Sequence, residues 1–142
     1  MANLVIDSSV AVKWFVAEPH STEARRILDD YQKGTTSFLA PDLINAEFGN
    51  VIWKKQIFQG LDAADAQDII NKFRALQFTL TSTTSLLDEA YKIAVKHRRT
   101  VYDSLYLALS LRKGCQYVTA DEKFVNAVSA LFPNLIWLAK WP

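Results

Sequence analysis

The sequence predicts an α/β fold: a three-layer α/β/α sandwich around a mainly parallel, roughly five-stranded sheet. Three observations predict it. Short, uninterrupted apolar runs recur, of the kind that strands buried on both faces show. Between them lie longer stretches with apolar residues at the i, i+3, i+4, i+7 spacing of a helix. The two kinds alternate from end to end, with no repeat, low-complexity tract or linker. The 142 residues therefore read as one domain, residues 1–142.

Leu4-Val5-Ile6 is the first strand, and it stops at Asp7-Ser8-Ser9. Val10 to Val16 is a first helical stretch, closed by Glu18-Pro19. A second helix begins near Ser21, carries Ala24, Ile27, Leu28 and Tyr31 on one face, and ends at Gly34. Thr36 to Ala40 is the second strand. Pro41-Asp42 opens a helix to about Gln56, and another starts at Asp62 with the stripe Ala66, Ile69, Ile70 and Phe73. Phe78-Thr79-Leu80 is the third strand. Ser85 with Asp88 resembles a capping box, followed by the stripe Leu87, Ala90, Tyr91 and Ala94. Lys96 to Arg99 puts positive charge at that helix's end, which suits the macrodipole. The stretch Thr100 to Leu111 is apolar nearly all round, so it predicts a buried helix, ended by Lys113-Gly114. Gln116 to Thr119 is a strand, a helix with Phe124, Val128 and Leu131 follows, and Leu135 to Leu138 is the last strand.

Half the residues are hydrophobic, which excludes a disordered chain. The net charge is +1, so affinity for a polyanion must come from local patches. Cys115 is the only cysteine, which excludes an internal disulfide and fits a reducing compartment. It reads as a small apolar residue. No charged-then-apolar leader and no run approaching a membrane span is present, so the expectation is a soluble, cytoplasmic protein without a membrane role.

Acids stand where chemistry is expected. In an open α/β sheet, ligands bind beyond the carboxyl ends of the strands. Asp7 directly follows the first strand and Asp121 the fourth. Asp103 lies in the first turn of the buried helix, where it is either an ordinary cap or a site residue. Glu47 interrupts the column Leu43, Glu47, Val51, either snorkelling from a helix margin or facing a polar pocket. Four carboxylates in one pocket must raise some of their pKa values or bind cations. All-oxygen donors select Mg²⁺ or Mn²⁺, and such a cluster suits phosphodiester hydrolysis. No Cys/His set for zinc, no Ser/His/Asp triad and no glycine-rich phosphate loop is present. His20 and His97 sit at helix edges and read as solvent-facing.

Four fragments resemble one family: Val5-Ile6-Asp7-Ser8-Ser9-Val10, Ala40-Pro41-Asp42-Leu43 leading to Glu47, Tyr102-Asp103-Ser104-Leu105-Tyr106-Leu107-Ala108, and Val118-Thr119-Ala120-Asp121-Glu122-Lys123-Phe124. In this order, over nearly the whole chain, they resemble PIN-domain proteins of the VapC toxin type, the ribonuclease half of toxin–antitoxin pairs. The resemblance implies the PIN fold and a Mg²⁺- or Mn²⁺-dependent endoribonuclease. It places the acidic quartet on Asp7, Glu47, Asp103 and Asp121, with Asp7 and Asp103 as metal ligands. Asp121 ligates or orients a water, and Glu47 ligates or helps activate the attacking water. Ser8, Ser9 and Thr119 are candidates to orient the carboxylates, or else ordinary helix caps. The resemblance also implies a homodimer, an RNA substrate and a VapB-type antitoxin partner. Trp14-Phe15 and Trp53, Ile57 and Phe58 are either sticky surface or core. Arg98, Arg99 and Arg112, with Lys96 and Lys113, either contact RNA phosphates or form a solvated charged surface.

Two other functions stay open. One is a PIN nuclease in RNA processing, without a toxin role. The other is a non-catalytic, Mg²⁺-binding regulatory module such as a receiver. A receiver wants paired acids at the first strand exit and a phosphoacceptor Asp after a central strand. Here Asp7 is followed by two serines, and the third strand exits into Thr81-Ser82-Thr83, which disfavours it.

Overall fold

The computed structural model describes every residue, Met1–Pro142. Its centre is five short strands, β1 (Ala2–Ile6), β2 (Thr36–Pro41), β3 (Thr79–Thr81), β4 (Gln116–Thr119) and β5 (Leu135–Trp137). They lie in the order β3-β2-β1-β4-β5, and every neighbouring pair is parallel. The expected mainly parallel sheet is thus wholly parallel. β1, the strand that delivers Asp7, is its centre.

The layers follow from register. Facing residues of paired strands share a side of the sheet, and successive residues alternate. Leu4 faces Phe38, while Val5 faces Leu39 and Tyr117. Phe38 stacks between Trp14 at 5.1 Å and Tyr31 at 4.6 Å, so α2 (Ser21–Gln32) covers that side. Trp14 reaches it from a 3₁₀ turn (Val12–Trp14) that continues α1 (Ser8–Ala11). Tyr117 packs against Tyr106 and Phe124, so α6 (Val101–Lys113) and α7 (Glu122–Val128) cover the other. This is the three-layer sandwich.

α3 (Leu43–Phe58) turns Ile44, Phe48 and Ile52 inward. α4 (Ala63–Ala75) answers with Phe73, whose ring stacks on Phe48 at 3.9 Å. α5 (Thr83–His97) runs antiparallel to α6: Arg112, near the end of α6, reaches Ser85 and Glu89 in the early turns of α5. α6 is buried without interruption from Ser104 to Ser110, between α5 and strands β1, β2 and β4.

Local chemistry moves some boundaries. α5 begins three residues before the capping-box reading allows. Ser82 is its cap and accepts from the Ser85 N–H at 3.1 Å, so Ser85 sits inside the helix. The first helical stretch starts earlier than expected, at Ser8 under an Asp7 cap, and tightens after Ala11 into the 3₁₀ turn that ends at Trp14. Tyr102 and Leu111, expected inside, are 62% and 45% exposed. They lie at the two ends of α6, outside its unbroken buried run. Leu131 is exposed past the end of α7. No helix is long and apolar enough to cross a membrane.

Phe38 is fully buried between two parallel rings. Phe38→Ala is therefore expected to cost about 3–5 kcal/mol of unfolding free energy, measured by urea denaturation.

Candidate functional site

Asp7 is the first residue after β1 and the cap of α1. Its Oδ1 accepts from the Ser9 N–H at 3.1 Å, the Val10 N–H at 3.3 Å and the Ser9 hydroxyl at 2.5 Å. Its Oδ2 accepts from the Tyr117 hydroxyl at 2.8 Å and the Thr119 hydroxyl at 2.5 Å. The period of a strand explains this pair: residues two apart on β4 share a face, so Tyr117 and Thr119 both point at the end of β1. The Thr119 oxygen also accepts from the Asp121 N–H at 3.2 Å, which ties the second acid to the first. Asp121 caps α7 by accepting from the Phe124 N–H at 3.1 Å, and it is exposed.

Asp103 is not a cap. Thr100 takes that place and accepts from the Asp103 N–H at 3.1 Å, which leaves the Asp103 side chain in the first turn, half-buried. Glu47 does not snorkel. It lies beside the core stripe of α3, half-buried, and its Oε1 accepts a hydrogen bond from the Tyr106 hydroxyl. Neither residue takes the ordinary solvent-facing use that the sequence left open.

The electrostatics agree with the placement. Burial pushes the Asp7 carboxyl up, against the pull of its hydrogen bonds from Ser9, Thr119, Tyr117 and Val10. Burial also raises Glu47; the Tyr106 hydrogen bond offsets part of this, and the charges of Asp7 and Asp103 add to it. Asp103 is raised by burial, eased by Thr100, and raised again by the charges of Asp121 and Asp7. Each of the four acids therefore feels, or is felt by, another. The protein has six ion pairs, and none involves any of the four.

The donor set fits a hard divalent cation: oxygens only, in excess of negative charge, with no lysine or arginine bonded to them. It is not a preassembled cage. No three Asp, Glu, His or Cys side chains anywhere in the protein stand ready to hold an ion. Asp7, Glu47, Asp103 and Asp121, expected as ligands, lie near enough to feel one another's charge without forming a ready cage. The hydroxyls of Tyr106, Tyr117, Ser9 and Thr119 tether Glu47 and Asp7.

The Ser9 and Thr119 hydroxyls donate to Asp7; the Ser8 hydroxyl makes no hydrogen bond to any acid. Arg112 does not reach the site, being held by Ser85 and Glu89. Arg98 is exposed and ends α5 with φ +54°. Arg99 is near enough to Asp103 to lower its pKa, and its Nε is buried without a partner. Trp14 is core, with its Nε1–H donated to the Ala24 carbonyl, whereas Trp53, Ile57 and Phe58 are exposed. The sequence reading missed Tyr106 and Tyr117 as polar contributors. Their spacing was the available signal: Tyr106 lies one turn past Asp103, and Tyr117 two residues before Thr119.

A wholly parallel sandwich with acids gathered beyond its central strand defines a class of carboxylate-bearing α/β domains. Comparison with known proteins gives the family. The PIN domain family model matches residues 4–128. Ribonuclease VapC3 of Pyrobaculum aerophilum is 30% identical over 132 residues, covering 90% of this chain and 96% of that protein. The crystal structure of PAE2754, also from Pyrobaculum aerophilum, superposes with a TM-score of 0.70 at 20% identity, over 97% of this chain and 85% of that one. A toxin–antitoxin complex from Klebsiella pneumoniae gives 0.60 at 12% identity, over 94% and 95%. The chain belongs to the PIN-domain family and, within it, to the VapC type.

A carboxyl whose pKa is raised by folding binds its proton more tightly in the folded state. Metal-free protein should therefore gain stability as pH falls through the raised pKa values toward the ordinary carboxylate range, and lose it as pH rises again through them. Asp103→Asn should flatten that dependence and raise the melting temperature at neutral pH, as measured by calorimetry in EDTA.

Proposed function

We propose that the protein is the toxin of a VapBC pair, an endoribonuclease that hydrolyses RNA phosphodiester bonds with Mg²⁺ or Mn²⁺. The observation that carries this reading is the set of four converging acids, Asp7, Glu47, Asp103 and Asp121, left without any basic ion-pair partner. The ribonuclease name of its 30% identical relative supports the activity. The sheet argues against a receiver-type module, since β3 lies at the edge beside β2, whereas in a receiver the third strand adjoins the first.

Asp7 and Asp103 would hold the cation, with Asp121 ligating it or orienting one of its waters. A divalent cation bound there lowers the pKa of a water and stabilises charge on the phosphate. The chain's own residues prepare that chemistry. Ser9, Thr119 and Tyr117 lock the orientation of Asp7. Glu47 offers Oε2, which no group of the chain hydrogen-bonds, as acceptor for the proton of an attacking water, and its raised pKa suits it to take one. Arg98 and Arg99, at the turn before Asp103, supply local positive charge for RNA phosphates on a chain that is nearly neutral overall.

A VapB-type antitoxin is the proposed partner, in keeping with the toxin–antitoxin complex that shares the fold. Trp53, Ile57 and Phe58, exposed on the last turns of the helix that carries Glu47, offer an apolar surface for it. The active unit is proposed to be a homodimer.

Purified protein should cleave a mixed tRNA and rRNA pool in Mg²⁺ or Mn²⁺. Cleavage should stop in EDTA and fall by about a hundredfold or more in Asp103→Ala. Equal cleavage by the variant would show a contaminating nuclease and sink the assignment.

A further inference from the structure

Two tyrosines stand behind the acid cluster as a layer. Tyr106 of α6 and Tyr117 of β4 are each 2% exposed, and their rings stack at 5.7 Å with 16° between planes. The Tyr106 hydroxyl donates to Glu47 Oε1, and the Tyr117 hydroxyl donates to Asp7 Oδ2. Each bond joins separate parts of the chain, α6 to α3 and β4 to the residue that links β1 to α1. A buried tyrosine hydroxyl needs an acceptor, and a backbone carbonyl would serve without placing a ring beside a carboxylate. Here both hydroxyls go to members of the same cluster. Tyr106 is also one turn beyond Asp103, so one face of α6 carries one acid and the holder of another.

We infer that Tyr106 is a positioning residue that anchors Glu47 by Oε1 and so reserves Oε2 for the metal or its water, while Tyr117, with Thr119, fixes the orientation of Asp7. The inference rests on the metal-nuclease reading. Two stacked rings in a close-packed interior move little, so the layer sets the spacing between Asp7 and Glu47 before any cation arrives. Preset spacing spares the cation part of the work of drawing mutually repelling carboxylates together. Neither tyrosine touches the reacting atoms; each acts through its acid.

The experiment is a calorimetric titration of Mn²⁺ into the whole protein and into Y106F, Y117F, E47Q, E47Q/Y106F and E47Q/Y117F. Tyr106→Phe should weaken Mn²⁺ binding by about tenfold while the protein stays folded by circular dichroism. In the E47Q background Tyr106→Phe should add nothing, because the residue it positions no longer offers a carboxylate oxygen to the cation, whereas Tyr117→Phe should still weaken binding through Asp7. An unchanged affinity in Y106F, or the same loss with and without E47Q, would overturn the inference while leaving the metal site standing. Wild-type protein that binds no Mn²⁺ would remove both the inference and the metal reading beneath it. Should Y106F fail to fold, ¹³C-tyrosine NMR of wild type and E47Q decides the matter. Mg²⁺ should shift the Tyr106 ring signal in wild type and not in E47Q, and no shift in wild type contradicts the inference.

Discussion

Carboxylates brought together out of water repel one another and lose hydration, and this protein concentrates that cost at one edge of its sheet. Burial lifts the pKa of Asp7, Glu47 and Asp103, and neighbouring charges add to the rise at Glu47 and Asp103. The rest of the structure is arranged to withstand it. The central strand and the helix after it hold Asp7 through two backbone N–H groups and a serine. The neighbouring strand adds Tyr117 and Thr119, and Thr119 passes the constraint to Asp121. The same groups that tolerate the charge define where it sits.

The core serves this edge by being stiff. Phe38 fixes α2 and the 3₁₀ turn to one side of the sheet. Tyr117 and the unbroken buried run of α6 fix the other. Because β1 lies at the centre of a parallel sheet, its exit is flanked by the exits of β2 and β4, and helices that start or pass there can each contribute an acid. The site is therefore built from elements far apart in sequence. Apolar packing supplies its precision, and each acid brings only charge.

Much of this was legible in the sequence. Continuous apolar strands and an apolar-all-round helix named the sandwich, because a parallel sheet and its central helix have no solvated face to mark with polar residues. Asp7 and Asp121 were readable as acids at strand exits. Asp103 and Glu47 were ambiguous for a physical reason: a first-turn Asp and a mid-helix Glu have common solvent-facing uses, and Thr100 and Tyr106 decide against those uses only once the chain is folded. The tyrosines were read as apolar because a ring at a core position gives no sign of where its hydroxyl will go. The start of α5 was misplaced because Ser82 and Ser85 are both capable caps, and only the backbone hydrogen bonds choose between them.

The central claim is that the acid cluster is an anionic site completed by a divalent cation. The most direct test is the melting temperature of the wild-type protein against Mn²⁺ concentration at constant ionic strength, beside the same titration of Asp103→Asn. A cation that binds only the folded chain stabilises it by mass action. Wild type should show a saturable rise in melting temperature, and Asp103→Asn should start higher and respond much less. A wild-type protein whose melting temperature ignores Mn²⁺, or a variant that responds just as strongly, would contradict the claim.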